Sequence, residues 1–563
     1  MTGAQIVIQT LLDLGVDTMF GYPGGTVLYI YDELYKNKHK IHHYLTRHEQ
    51  GALHAADGYA RVTGKVGVAI VTSGPGATNA VTGLATAHMD SIPILCISGQ
   101  VPVALIGNDA FQEADTVGIT RSCTKHNYLV RDVNDLARVL REAYYIAHSG
   151  RPGPVLVDIP KDVTVAEAEY VHTTTEPKIR SYKPTLTGHI GQIRRGARMF
   201  QQAKKPVLYV GGGAVTANAH RELFRMADAL GFPVTNTLMG LGSFPASDPR
   251  FIGMLGMHGT YEANMAVSHC DLLIAVGARF DDRVTGKLSA FAPHATIMHI
   301  DVDPTSISKN VKVDLPIVGD VRHVLAQFNE QVLTPEFASG KQDLTPWWEE
   351  INSWRQRDCL RYAQSSDRIE PQYVIQCLHA VTKGEAIIAT DVGQHQMWAA
   401  QFYGFDTPRR WLTSGGLGTM GYGLPAAMGA QVAKPDAQVV VITGEGSIQM
   451  NIQEFATCLQ YRLPVKVVIM NNGYLGMVRQ WQEFFYQRRY AESNMEVTPD
   501  FVKLAEAYGA LGLRCERVAD VTATLEKGLA HPGTVIMDFI VNREANVYPM
   551  VPAGAGLNEM ILI

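Results

Sequence analysis

The feature that most constrains this chain is a unit that occurs twice. Val66–Gly99 reads VGVAIVTSGPG, a helical stretch, then IPILCISG. Val439–Asn472 reads VVVITGEG, a helical stretch, then LPVKVVIMNN. Each is a strand, a Gly-x-Gly turn, a helix and a Pro-led strand. The runs are β-branched and apolar throughout, the pattern of strands buried on both faces of a parallel sheet. The helical stretches just upstream, HEQGALHAADGYAR and GLPAAMGAQVA, hold equivalent places. All βαβ units resemble one another to some degree. A spacing kept over about fifty residues favours duplicated domains instead.

The same alternation runs along most of the 563 residues, too many for one hydrophobic core. It divides into three blocks, residues 1–165, 185–340 and 365–540. The predicted fold class is therefore α/β, with three doubly wound parallel-sheet domains. The tail, 541–563, is rich in Pro, Gly and Met and reads either as a lid over a site or as a disordered end. A net charge of −5 with no Lys/Arg block argues against nucleic acid or an anionic membrane as partner. The seven scattered cysteines include no C-x-x-C pair, which speaks against a zinc site or disulfide framework and for a reducing compartment. The N-terminus reads as an amphipathic helix without a basic n-region, and no apolar run reaches membrane-spanning length. A bacterial cytoplasmic protein is expected.

Gly444-Glu445-Gly446 follows a buried strand and opens a helix. Such a turn offers backbone N–H groups to an anion, yet its carboxylate repels a diphosphate. A bridging Mg²⁺, which prefers oxygen ligands, resolves the conflict. Asn472 ends the next strand, and a right-handed crossover brings both strand ends to one sheet edge. A backbone carbonyl near Tyr474 completes the expected metal set. Gly-acid-Gly alone is no more than a tight turn. Followed by 24 residues and Asn-Asn, it resembles the thiamine diphosphate signature. One departure stands out, Glu445 where that family usually has Asp, a carboxylate displaced by about 1.5 Å.

Further motifs occur in order: FGYPGG (from Phe20), RHEQ (from Arg47), TSGPGATN (from Thr72), DAFQE (from Asp109), SGRPGPV (from Ser149), GMHG (from Gly256), GARFDDRVTGK (from Gly277), DVGQHQMW (from Asp391) and GMVRQWQ (from Gly476). Together they make the chain similar to the catalytic large subunits of acetohydroxyacid synthases, also called acetolactate synthases. The resemblance implies a pyrimidine-binding first domain, a central FAD-binding domain and a diphosphate-binding third domain. It implies decarboxylation of pyruvate on thiamine diphosphate. The hydroxyethyl unit is then condensed with pyruvate, giving 2-acetolactate, or with 2-ketobutyrate, giving 2-aceto-2-hydroxybutyrate, in branched-chain amino-acid biosynthesis. A homodimer or homotetramer and a small regulatory subunit are implied partners. Two alternatives are a flavin-dependent pyruvate oxidase and an inactive scaffold homologue.

The site residues follow by the same resemblance. Glu49 is the acid that would exchange a proton with the aminopyrimidine; by itself it is a helix N-terminal Glu favoured by the dipole. Cofactor contacts extend to Tyr22, Pro23, Gly25, Thr72, Pro75 and Asn79 in the first block. In the third they extend to Gln394, His395, Gly418, Met420, Gly444, Gly446 and Ser447. Met420 would hold the cofactor bent, though core packing explains a Met equally. Gln112 and Lys161 line the site and Met257 lies near the acceptor. Arg283 would grip the acceptor carboxylate, or else pair with Asp281 or Asp282. Trp481 would favour an ethyl over a methyl ketoacid, or else anchor an amphipathic helix. FAD contacts are expected at Gly211, Gly212, Gly213, Thr237, Leu238, Gly256, His258, Gly277, Arg279, Asp281, Asp301 and Asp320.

Overall fold

The computed structural model describes residues 1–173 and 175–563. Three six-stranded sheets succeed one another along the chain, and every strand pairing within them is parallel. The first contains β1 (Thr18–Gly21), β2 (His42–Leu45), β3 (Gly67–Val71), β4 (Ile94–Gln100), β5 (His126–Leu129) and β6 (Pro154–Pro160). The second contains β7 (Pro206–Val210), β8 (Val234–Asn236), β9 (Phe251–Met254), β10 (Leu272–Val276), β11 (Thr296–Asp301) and β12 (Leu315–Val318). The third contains β13 (Ile387–Thr390), β14 (Trp411–Leu412), β15 (Val439–Gly444), β16 (Lys466–Asn471), β17 (Leu511–Cys515) and β18 (Val535–Ile540). Strands β3, β4 and β6 are buried at every position, as their unbroken apolar runs require once helices cover both faces.

The first sheet is ordered β2-β1-β3-β4-β6-β5 and the third β14-β13-β15-β16-β18-β17. Counted from its own first strand, the third repeats the first, so the internal repeat extends to topology. The middle sheet, β12-β11-β10-β7-β8-β9, has a different order, that of the dinucleotide-binding doubly wound fold. Its crossover reversal lies between β7 and β10.

The helices upstream of the two repeated units, Glu49–Thr63 and Gly423–Ala433, pack against each other. Gly58 lies on the Ala426 carbonyl and Gly429 on the Ala55 carbonyl, with no room for a Cβ at either glycine. His48 caps the first helix by accepting the Gln50 N–H at its Nδ1 (3.1 Å). Gly64, at φ 75°, ends it in the left-handed conformation. A buried polar cluster closes the junction: Arg61 pairs with Asp57 at 2.6 Å and Asp90 at 2.9 Å. Tyr422 donates to Asp57 at 2.6 Å, and Asp90 accepts the Gly415 and Gly416 N–H groups.

Residues 541–563 are packed rather than loose. Val547, Met550, Val551 and Leu557 are buried. The Val551 N–H donates to the Met257 carbonyl at 2.8 Å, and Gln480 donates to the Val547 carbonyl at 3.1 Å. The tail thus ties the second domain to the third. Among the described residues, no helix is long and apolar enough to cross a membrane.

Candidate functional site

Three clusters of the sequence-predicted residues form at the C-terminal ends of the strands, where open α/β sheets bind ligands. The first centres on Glu49, which is 8% exposed at the start of its helix. Asn79 donates to its Oε2 at 3.0 Å. Gly76 lets the chain pass Oε1, which would lie 3.2 Å from a Cβ there. Thr72, buried after β3, hydrogen bonds Thr26 at 3.0 Å, and Pro75 opens the short helix Pro75–Asn79. Tyr22, Pro23 and Gly25 form the turn after β1, with Tyr22 39% exposed. Gln112 packs its backbone onto Gly74. Lys161 begins the helix after β6 and makes no hydrogen bond to this cluster.

The second cluster is the expected metal half. Glu445 and Asn472 sit at the ends of adjacent strands, Gly444 of β15 being paired with Met470 of β16. Both accept the Tyr474 N–H, Glu445 Oε1 at 2.8 Å and Asn472 Oδ1 at 3.0 Å. Two side-chain oxygens therefore converge on one point. Glu445 is 1% exposed, and burial pushes its carboxyl up to about 7. Its hydrogen-bond donors are backbone N–H groups, with no cationic side chain beside it. A buried carboxylate without a countercharge fits a bound cation. Among the described residues no group of three His, Cys, Asp or Glu gathers as a metal cage.

The surroundings also fit an anion. Buried His395 stands beside Gly444 with its Nε2 unpartnered, and burial lowers its pKa to about 3. Gln394 receives a 3.3 Å hydrogen bond from Asn472, and Ser447 donates to the Val392 carbonyl. The helix that the Gly444-Glu445-Gly446 turn opens, which the sequence pattern places over Asn451–Arg462, is not one continuous element. Helix begins at Glu445, breaks into a 3₁₀ turn at Gln449–Asn451 and resumes at Glu454–Gln460. The break lets Asn451 reach back to the Gly421 carbonyl (2.7 Å).

The third cluster is a cavity of about 940 Å³ running from the third domain to the second. Gly418 and Met420 line one end; Gly211, Gly212, Gly213, Gly277, Asp301 and Asp320 line the other. Thr237, Leu238, His258, Arg279 and Asp281 line it between. Gly213 and Gly277 approach so closely that a Cβ on Gly213 would lie 2.7 Å from the Gly277 Cα. This bare backbone at the switch point suits a phosphate linkage. Gly256 stands just outside, its N–H bound to Asn264.

Met257, Arg283 and Trp481 meet at the cavity wall. The Arg283 guanidinium lies over the Trp481 ring, 5.9 Å from its centroid, and 3.9 Å from the Met257 sulfur. Its pairing with Asp282 is 3.8 Å long and exposed on both sides, a contact of little worth. Arg283 thus keeps its donors for a ligand, and Trp481 is half-exposed rather than a core anchor.

Sequence reasoning missed part of this wall. Asp90, Arg151 and Ser414–Gly416 line it too, and Arg151 reaches Ser91 and Asp303. The glycine pair before Gly418 and the arginine of SGRPGPV were the available signals. Neither Glu49 nor Glu445 lines the cavity within one chain.

Comparison with known proteins agrees with this geometry. The thiamine pyrophosphate enzyme N-terminal binding domain matches residues 1–119, the central domain 193–328 and the C-terminal binding domain 391–539. The chain is 53% identical over its whole length to the acetolactate synthase isozyme 3 large subunit of Escherichia coli, covering 98% of that protein. It is 50% identical to the acetolactate synthase large subunit of Haemophilus influenzae, again over the whole chain and 98% of the relative. It is 52% identical to the acetolactate synthase of Mycobacterium leprae, covering 90% of that protein. Three domain matches in order and half or more identity along the full length place this chain in the thiamine pyrophosphate enzymes, within the acetolactate synthase family.

Proposed function

We propose that the chain is an acetohydroxyacid synthase, joining the two-carbon unit of pyruvate to a second 2-ketoacid. The observation that carries this reading is the single cavity whose wall Arg283 and Trp481 share with Met420 and the glycine turns of the middle domain. Bound thiamine diphosphate supplies the electron sink for decarboxylation and the nucleophilic carbon for carboligation. The protein's part is to bind, orient and move protons. Glu445, Asn472 and the Tyr474 carbonyl would hold Mg²⁺, with His395 and the glycines of the β15 turn beside the diphosphate. Glu49, fixed by Asn79, would exchange a proton with the aminopyrimidine. Arg283 would bind the acceptor carboxylate bidentately, and Trp481 would form the flat wall that distinguishes 2-ketobutyrate from pyruvate. Gln112 and Lys161 would complete the lining.

The strand order of the middle sheet and the contact of Gly213 with Gly277 support FAD there, in a positioning role. A homodimer or homotetramer is the assembly this reading calls for, in which Glu49 of one copy would meet the metal half of another. Exposed apolar side chains near both halves, Tyr22, Leu28, Tyr29, Leu417 and Met450, support such a contact. A small regulatory subunit is the further partner that large-subunit relatives suggest.

The test is a competition assay with pyruvate and 2-ketobutyrate, Mg²⁺, thiamine diphosphate and FAD, run without oxygen and with products resolved. Both acetohydroxy acids are expected. Stoichiometric bleaching of the flavin by pyruvate with no carboligated product would instead identify an oxidase.

A further inference from the structure

Asp158 lies in the middle of β6, 1% exposed, and the reading above gives it no task. Its carboxylate has no cation beside it. Ser98 donates to Oδ1 at 2.7 Å and Gln100 to Oδ2 at 2.9 Å. A buried carboxylate satisfied only by neutral donors is costly, and burial pushes it up to about 7. Such a group needs a reason to stand there.

The reason lies in the second bond of Gln100. Its Nε2 also donates to the Ala114 carbonyl at 2.9 Å, while its Oε1 accepts the Val101 N–H at 2.8 Å. Ala114 closes the segment that leaves β4 and carries Gln112. That segment holds strained backbone: Asp109 and Gln112 have φ of 53° and 58°. A non-glycine residue in this region is strained and persists only where its surroundings impose it. Gln112 packs its backbone against Gly74, where a Cβ would meet the Gln112 carbonyl oxygen at 2.7 Å. Five residues on from Gly74, Asn79 holds Glu49. Glu113 ties the other end of the segment, accepting the N–H groups of Gly107 and Ala110.

The amide of Gln100 works in one orientation only. Its oxygen must face the Val101 N–H and its nitrogen the Ala114 carbonyl, and an acceptor at 158 holds it so. We propose that Asp158 is a positioning residue: through Gln100 it clamps the 107–115 segment and so presents Gln112 over the Gly74–Asn79 turn that holds Glu49. This inference rests on the acetohydroxyacid synthase reading for the role of Gln112.

Asp158→Leu keeps the approximate shape but removes the acceptor, so the Gln100 amide loses the bond that orients it between Ala114 and Val101. Gln100→Met removes the clamp while leaving the carboxylate. Ser98→Ala is the control, since it takes one hydrogen bond from the same carboxylate and none from the segment. Two readouts are taken on the full-length holoenzyme. In hydrogen exchange, residues 103–117 should exchange at least tenfold faster in Asp158→Leu and Gln100→Met, and at the wild-type rate in Ser98→Ala. In steady-state assays, both variants should lose on the order of 10- to 100-fold in kcat/KM, the scale of a small misplacement. Ser98→Ala should stay within twofold. In a Gln112→Ala background, Asp158→Leu should cost no more than a further twofold.

Unchanged exchange in both clamp variants overturns the proposal. So do losses from Asp158→Leu and Gln112→Ala that multiply as independent sites would. A wild-type chain that makes no acetohydroxy acid breaks the functional reading instead, and the exchange measurement then decides the clamp alone.

Discussion

The first and third domains share a strand order and a helix-to-helix contact, yet they carry opposite chemistry at matching places. After β15 stands Gly444-Glu445-Gly446, whose buried acid and the neighbouring Asn472 converge on one N–H. After β3 the corresponding turn is Ser73-Gly74-Pro75-Gly76, with no acid, and it serves to let Glu49 and Gln112 come close. Where the first domain starts a helix on Glu49, the third starts the equivalent helix at Gly423, whose N–H donates to Asp391 at 2.8 Å. One topology therefore places a buried acid at a helix start in one copy and a buried acid beside an asparagine at a strand end in the other. Topology fixes which strand ends gather; a few turn residues fix what they do there.

The comparison can be broken first at its chemistry. Glu49→Gln keeps the shape of the first-domain cluster and removes only the acid. Carboligation is expected to fall on the order of 10²- to 10⁴-fold, the usual scale for a lost acid–base group. Cofactor binding, followed by calorimetry, should survive. Equal loss of binding would mean that Glu49 holds the cofactor rather than activating it.

The packing of the two copies comes next. Gly429→Val places a branched side chain against the Ala55 carbonyl, where no Cβ fits. Overpacking of this kind costs about 1–3 kcal/mol or more. A clear drop in the thermal midpoint is expected, and a midpoint equal to wild type would show that the helices can part without penalty.

A change at the cavity wall sharpens the contrast with the middle domain. Trp481→Leu removes the flat surface beside Arg283. Discrimination between 2-ketobutyrate and pyruvate should shrink by about 10- to 200-fold, the worth of one methylene in a shaped pocket. Product ratios from mixed ketoacids measure it directly, and an unaltered ratio would assign the preference elsewhere.

The smallest effect concerns a carboxylate that joins the copies. Glu454 belongs to the third domain but accepts the Arg47 N–H of the first at 2.9 Å. Burial raises it from 4.5 to about 7. Between those values the folded chain keeps a proton that the unfolded chain has lost. Its stabilising contribution is therefore complete below about 4.5 and is lost as pH rises to 7, at about 1.4 kcal/mol per unit. Glu454→Gln should flatten that part of the stability-against-pH curve; a slope identical to wild type would place the titration elsewhere.

Much of this was legible in the chain itself. The buried β-branched runs, the Gly-x-Gly turns and their spacing are local, and they locate Glu49, Glu445 and Asn472 at strand ends. The repeat foretold the shared strand order. The middle domain was less legible, because its run Gly211-Gly212-Gly213 lacks the usual glycine spacing; its distinct strand order and the meeting of Gly213 with Gly277, residues far apart in sequence, emerge only in the fold. The helix break at Gln449–Asn451 was invisible, since it depends on a hydrogen bond from Asn451 to Gly421 across the domain.

The sequence alone thus determined three parallel α/β domains, a duplicated pair among them, and the residue types that suit a diphosphate bridged by a metal. Strand period and turn chemistry act over a few residues, and a linear reading captures them. Only the tertiary structure decided that Arg283 lies over Trp481 as well as beside Asp282, that Asp90 and Arg151 join the wall, and that residues 541–563 bind the second domain to the third. Those outcomes depend on which surfaces meet, and that is set by close packing at points such as Gly58 and Gly429, where a single Cβ would keep the domains apart.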